Sequence, residues 1–69
     1  MSTHTWTGTV TGMTCGHCVA SVTEEVQEIA GVEDVSVDLP TGAVSITSTA
    51  PLEESAVRAA VEEAGYQLA

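Results

Sequence analysis

An α+β fold in the order β-α-β-β-α-β is predicted by three features of the sequence. Two apolar stripes at helical spacing are interleaved with stretches of period-two alternation. Glycine or proline punctuates every junction between them. The chain is 69 residues long with 43% apolar residues, enough for one hydrophobic core and one domain, expected over residues 1–69. Only Trp6 and Tyr66 are aromatic, so that core must be built from Val, Ile, Leu, Met and Ala. A core of this kind is thin, and a small margin of stability is expected.

The first element is the run His4-Thr5-Trp6-Thr7-Gly8-Thr9-Val10-Thr11, a strand with Trp6, Gly8 and Val10 on one face. Gly8 on that inward face either leaves room for a bulky neighbour or marks a bulge. Gly12 to Gly16 is a breaker-rich loop. Val19, Val22, Val26 and Ile29 then recur at steps of three and four, the stripe of an amphipathic helix, with Gly31 placed to end it as a left-handed C′ residue. Residues 32–39 alternate again, with Val35, Val37 and Leu39 inward and Ser36 and Asp38 outward. Pro40-Thr41-Gly42 predicts a turn, and residues 43–47, with Val44 and Ile46 inward, complete a hairpin. Pro51 suits the first turn of a second helix, where Glu53 and Glu54 would meet the positive end of the helix dipole. Leu52, Ala56, Val57, Ala60, Val61 and Ala64 form its apolar face, Gly65 caps it, and residues 66–69 suffice for a short last strand. One four-stranded antiparallel sheet with both helices on one face buries every stripe; this is the split βαβ, or ferredoxin-like, arrangement.

The charge narrows the function. One Lys or Arg stands against ten Asp or Glu, a formal net charge of −9, with a pI of about 4.1. A nucleic-acid binder needs a basic stripe to neutralise phosphate, and attachment to an anionic membrane surface needs Lys and Arg. Neither is present. No run approaches the ~20 apolar residues of a membrane span, so no membrane insertion is expected. Met1-Ser2-Thr3-His4 has neither the basic nor the apolar region of a secretory signal, and a cytoplasmic location is expected.

Cys15 and Cys18 are the only cysteines, and at this spacing a disulfide would close almost no loop. Their role is chemical. They lie where the glycine-rich loop meets the first helix, whose unpaired N–H groups favour thiolate over thiol. The i, i+3 spacing brings the sulfurs to the same side of the first turn, and Gly12 and Gly16 are expected to leave them approachable from outside. Two soft thiolates with no further obvious ligand suit a soft ion of low coordination number, with Cu(I) foremost and Ag(I) and Hg(II) sharing the chemistry. A structural zinc site would want four protein ligands, and the chain holds half such a set unless two copies combine.

The run Gly12-Met13-Thr14-Cys15-Gly16-His17-Cys18, following a strand and opening a helix, resembles the heavy-metal-associated domain family. That family comprises small soluble copper chaperones and the metal-binding domains of copper-transporting P-type ATPases. Ala64-Gly65-Tyr66 after the second helix extends the resemblance over nearly the whole chain, and the small bacterial copper chaperones are its nearest form. The resemblance implies that Cys15 and Cys18 bind one Cu(I) and pass it, through three-coordinate sulfur intermediates, to the metal-binding domain of a copper-transporting ATPase. It implies a core position under the loop for Met13 and a place beside the loop for Tyr66, a residue commoner there in bacterial chaperones than in ATPase domains. Thr14 matches copper-type loops; zinc- and cadmium-type relatives often carry Asp at that point.

Each candidate also has a plainer reading. Met13 is a gap-filling core residue, and Tyr66 at least closes the core, its hydroxyl requiring a partner. His17 is either an exposed histidine without a role or a modulator of the thiols; His4 is a surface residue at a strand end. Glu24, Glu25, Glu28, Glu62 and Glu63 are the solvated faces of two helices. The expected function is a Cu(I) carrier without catalysis, monomeric without metal, with thiolates shared between two copies as the route to a Cu(I)-linked dimer. Its acidity implies a partner with a basic docking face. Three alternatives stand beside it: a domain of a copper ATPase or mercury-handling protein, a thiol–disulfide oxidoreductase, and a zinc-bridged dimer. Against the oxidoreductase, Thr14 occupies the place where thioredoxin-like motifs usually carry an aromatic.

Overall fold

The computed structural model describes residues 3–13 and 16–69. Its elements are β1 (His4–Thr11), α1 (Gly16–Gln27), β2 (Val32–Asp38), β3 (Ala43–Ser48), α2 (Glu54–Glu63) and β4 (Gln67–Leu68). The strands form one antiparallel sheet in the order β2-β3-β1-β4. The fold is the α+β, βαββαβ arrangement that the sequence pattern predicts. Val10, Val44, Ile46 and Leu68 from the sheet meet Val22 and Val26 of α1 and Val57, Ala60 and Val61 of α2 in a single core. Trp6, Met13 and Tyr66 pack against its margin.

The alternation in β1 places Trp6, Gly8 and Val10 toward the core, and its register runs without interruption through Gly8↔Val44. Gly8 is therefore not a bulge. A Cβ there would run into Trp6 Cη2 and lie 2.8 Å from Trp6 Cζ3, so the glycine makes room for the indole. The irregularity falls in β2 instead. Val32 and Val35 are an odd number of residues apart, so a regular strand would turn them to opposite faces. A register shift between Val32 and Asp34 corrects the parity, and both pack against the core.

Element ends differ from expectation in four places. First, α1 stops at Gln27, because Glu28 and Ile29 donate to Glu25 and Val26, three residues back, at 3.2 and 3.1 Å. Gly31, with φ of +88°, consequently lies in the turn before β2 rather than at C′, and its carbonyl accepts the Thr49 N–H at 2.8 Å. Second, Leu39 falls in the hairpin turn, outside β2. Third, β3 extends to Ser48, whose fully buried hydroxyl donates to the Ala50 carbonyl at 2.6 Å. Fourth, that bond ties down Ser48 to Ala50 just before Pro51, and α2 begins only at Glu54, with extended Glu53 as its N-cap residue. The far end of α2 is as expected. Gly65 has φ of +96°, and Tyr66 and Gly65 donate to Val61 and Glu62 at 3.1 and 2.9 Å, a Schellman cap.

Candidate metal-binding site

Backbone geometry brings three separate segments to the C-terminal end of β1. The chain leaves β1 at Thr11 and turns at Gly12, whose φ is +90°. The β2–β3 turn closes on the same strand end. Gly42, with φ of +75°, donates to Asp38 O at 2.7 Å, and its carbonyl accepts Val10 N–H at 2.8 Å. Any Cβ at Gly42 would strike the Val10 carbonyl oxygen, so only glycine permits this approach. The third segment is β4, paired through Val10↔Leu68 and Thr11↔Gln67 and extended by Ala69 N–H to Thr9 O at 2.7 Å. The Schellman cap and this pairing together deliver Tyr66 to the loop. Its Cδ1 lies 3.6 Å from where a Gly12 Cβ would stand. Tyr66 thereby stands beside Gly12, where the chain leaves β1.

Met13 is half-buried and packs against the core. His17 is exposed in the first turn of α1. Cys18 is the third residue of that helix, where backbone N–H groups lack intrahelical acceptors and favour negative charge. Cys15 and Thr14 lie outside the described residues, so the expected convergence of the two sulfurs falls outside them as well. For Cys18 the expectation of a sulfur approachable from outside is corrected: the residue is only 7% exposed. The reason is helical geometry. Cys18, Val22 and Val26 follow at steps of four and share the face of α1 that turns to the core. That signal was present in the sequence, masked by the parallel series beginning at Val19, which is only half-buried. His4 is half-buried at the opposite end of β1, paired with Ser48, and is not brought to this site. Among the described residues no three His, Cys, Asp or Glu side chains gather into a metal-binding group.

The electrostatics around the site are one-sided. Residues 11–18 contain no carboxylate, while α1, α2 and the residues flanking them carry Glu24, Glu25, Glu28, Glu53, Glu54, Glu62 and Glu63. Partial burial, and then the carboxylates of Glu28, Glu63 and Glu24, raise Glu25 above the ordinary glutamate range. The clusters are therefore not wholly solvated faces, since Glu25 is half-buried. Arg58, the single Lys or Arg, binds Glu54 Oε2 at 3.1 Å and donates to the Leu68 carbonyl at 3.3 Å, joining α2 to β4.

A helix with Cys18 in its first turn, after a Gly-Met segment with Tyr66 beside Gly12, suggests a class, and sequence comparison gives it a name. The heavy-metal-associated domain model matches residues 7–67, and the chain belongs to that family. It is 41% identical over 59 residues to the COP-associated protein of Helicobacter felis, covering 86% of this chain and 89% of that one. It is 35% identical over 60 residues to the copper chaperone CopZ of Staphylococcus aureus, covering 86% and 88%. Copper-transporting ATPase 1 of Rhizobium meliloti is 36% identical over 59 residues, which are 86% of this chain but 7% of the ATPase. Among solved structures, a CopZ metallochaperone superposes with a TM-score of 0.88 at 31% identity, covering 96% of this chain and all of that one.

Proposed function

We propose that the chain is a single-domain cytoplasmic copper carrier that binds one Cu(I) through Cys15 and Cys18 and performs no catalysis. The observation that carries this reading is the position of Cys18 in the first turn of α1, with Tyr66 against Gly12 at the loop that leads to it. Thiolate sulfur is a soft donor, and Cu(I) is the soft ion that a cytoplasmic dithiolate suits best. Copper is cargo. A partner thiolate adds to the bound Cu(I), making it three-coordinate, and one of the two carrier thiolates then leaves. Repeating the exchange moves the ion without any change of oxidation state. His17 is a modulator at most, being exposed, and Met13 and Tyr66 support the loop rather than ligate. The partner is the metal-binding domain of a copper-transporting ATPase with a basic face toward the acidic helices. The carrier is monomeric without metal.

Support comes from the names of its relatives, a copper chaperone matched over most of its length among them. A second reading rests on the ATPase match, in which this chain corresponds to a small part of a much longer protein. The ends of the natural reading frame separate the two. Anaerobic Cu(I) titration against a chelator, with native mass spectrometry in parallel, tests the binding itself. One Cu(I) per chain is expected, with loss of at least about 100-fold in affinity in both Cys15→Ser and Cys18→Ser, a figure set by comparison with the loss of a supporting group around a metal. Affinity unchanged in either variant would remove that cysteine from the ligand set.

A further inference from the structure

We infer that this fold is built for a medium of high ionic strength, its stability rising with monovalent salt because mobile cations supply the countercharge that the chain lacks. The inference goes beyond copper carriage and does not depend on it. Ten carboxylates face a single cation, the chain contains no lysine, and the one arginine is already engaged by Glu54 and the Leu68 carbonyl. Nine of the ten carboxylate residues are exposed and Glu25 is half-buried, so none has a buried countercharge to hold it. They are spread over both helices and the edge strand β2, on a molecule measuring 36 × 19 × 18 Å. Those dimensions matter. At 0.1 M salt the screening length is ~10 Å, so neighbouring carboxylates on the same side of the molecule repel one another; at 1 M it is ~3 Å and that repulsion is largely screened.

The attraction opposing this repulsion is small. The buried core is mostly Val, with Ala60 and Cys18 as its small members and one Ile and one Leu as its larger ones. A core of that size in a chain below ~70 residues leaves little margin, and self-repulsion of a far-from-neutral charge is subtracted from it. Two further features point the same way. Glu25 and Glu28 on the α1 side and Glu63 on α2 set like charges across the helical layer. The outer sheet face, where Lys would ordinarily solvate exposed strands, is lined instead by the hydroxyls of Thr5, Thr7, Thr9, Ser45 and Thr47. Cations are missing where their addition would be sterically simple.

The test is thermal unfolding of the reduced 69-residue chain at pH 7 between 0.05 and 1 M KCl, NaCl and choline chloride. The expected result is a rise in Tm of at least roughly 5 °C, alike in all three salts. The variant Glu24→Gln/Glu25→Gln/Glu28→Gln/Glu63→Gln should begin with a higher Tm at 0.05 M and lose at least half of the rise; Glu25→Gln alone should show the same trend in smaller measure. A Tm that does not change with salt overturns the proposal. So does an equal rise in parent and variants, which would assign the effect to general salting-out, or a rise confined to one cation, which would assign it to a specific bound ion.

Discussion

Gly8 and Gly42 both exclude a side chain, yet they do so against different atoms. At Gly8 a methyl group would meet the outer ring of Trp6, which a side-chain rotation can move. At Gly42 it would meet the Val10 carbonyl oxygen in a backbone with φ of +75°, and neither can shift without breaking the Val10–Gly42 hydrogen bond. Gly42→Ala should therefore cost roughly 2 kcal/mol or more, the sum of left-handed strain and a lost backbone bond. Gly8→Ala should cost less while shifting the emission of Trp6, the sole tryptophan. Urea unfolding monitored by circular dichroism, with fluorescence in parallel, checks both; equal losses would mean that the hairpin turn yields more readily than its geometry implies. Cys18 teaches a related lesson. Its side chain belongs to the core stripe of α1, so Cys18→Ser should lower the stability of the metal-free chain as well as remove the proposed ligand.

Between elements, the helical layer carries the clearest electrostatic stress. Glu25 is raised by partial burial and by Glu28, Glu63 and Glu24, and its unfolded counterpart titrates near the ordinary value of 4.5. Between those two pKa values the folded chain holds more protons than the unfolded chain, so stability from this group falls as pH rises through the raised value. Glu25→Gln should accordingly be more stable than the parent at pH 7, and the gap should close as pH falls below the raised pKa. Thermal melts of the two chains from pH 7 to 4.5 decide it; a gap independent of pH would trace the effect to packing. Much of this scale was legible in the sequence. Period-two alternation gave the faces of β1 and β3, and Gly65 marked its cap, because both depend on residues adjacent in the chain. The end of α1, the shift at Val32 and Asp34, and the late start of α2 were not legible. The end of α1 follows the three-residue bonds of Glu28 and Ile29, the shift follows the core that Val32 must reach, and the start of α2 follows the bond from Ser48 to Ala50 ahead of Pro51. The site divides the same way. Its motif was readable, whereas the closing of Gly42 and Tyr66 onto the end of β1 belongs to tertiary structure.

For the molecule as a whole, charge acts on two equilibria in opposite directions. Intramolecular repulsion among ten carboxylates weakens the fold at low salt, and screening relieves it. Attraction between those carboxylates and the basic partner proposed above would speed encounter at low salt, and the same screening would remove it. Salt that stabilises the chain should therefore slow the proposed docking. The rate constant for copper transfer to a basic acceptor domain should fall at least about tenfold between 0.05 and 0.5 M KCl, the usual scale of electrostatic steering, while Tm rises over the same interval. Stopped-flow transfer kinetics measured beside thermal melts would show the two slopes together. Neutralising Glu24, Glu25, Glu28 and Glu63 should flatten both, since one set of charges causes both. If the variant lost the salt dependence of stability but kept that of transfer, the partner would have to dock elsewhere, on Glu33, Asp34 and Asp38 of β2 or on Glu53, Glu54 and Glu62 about α2.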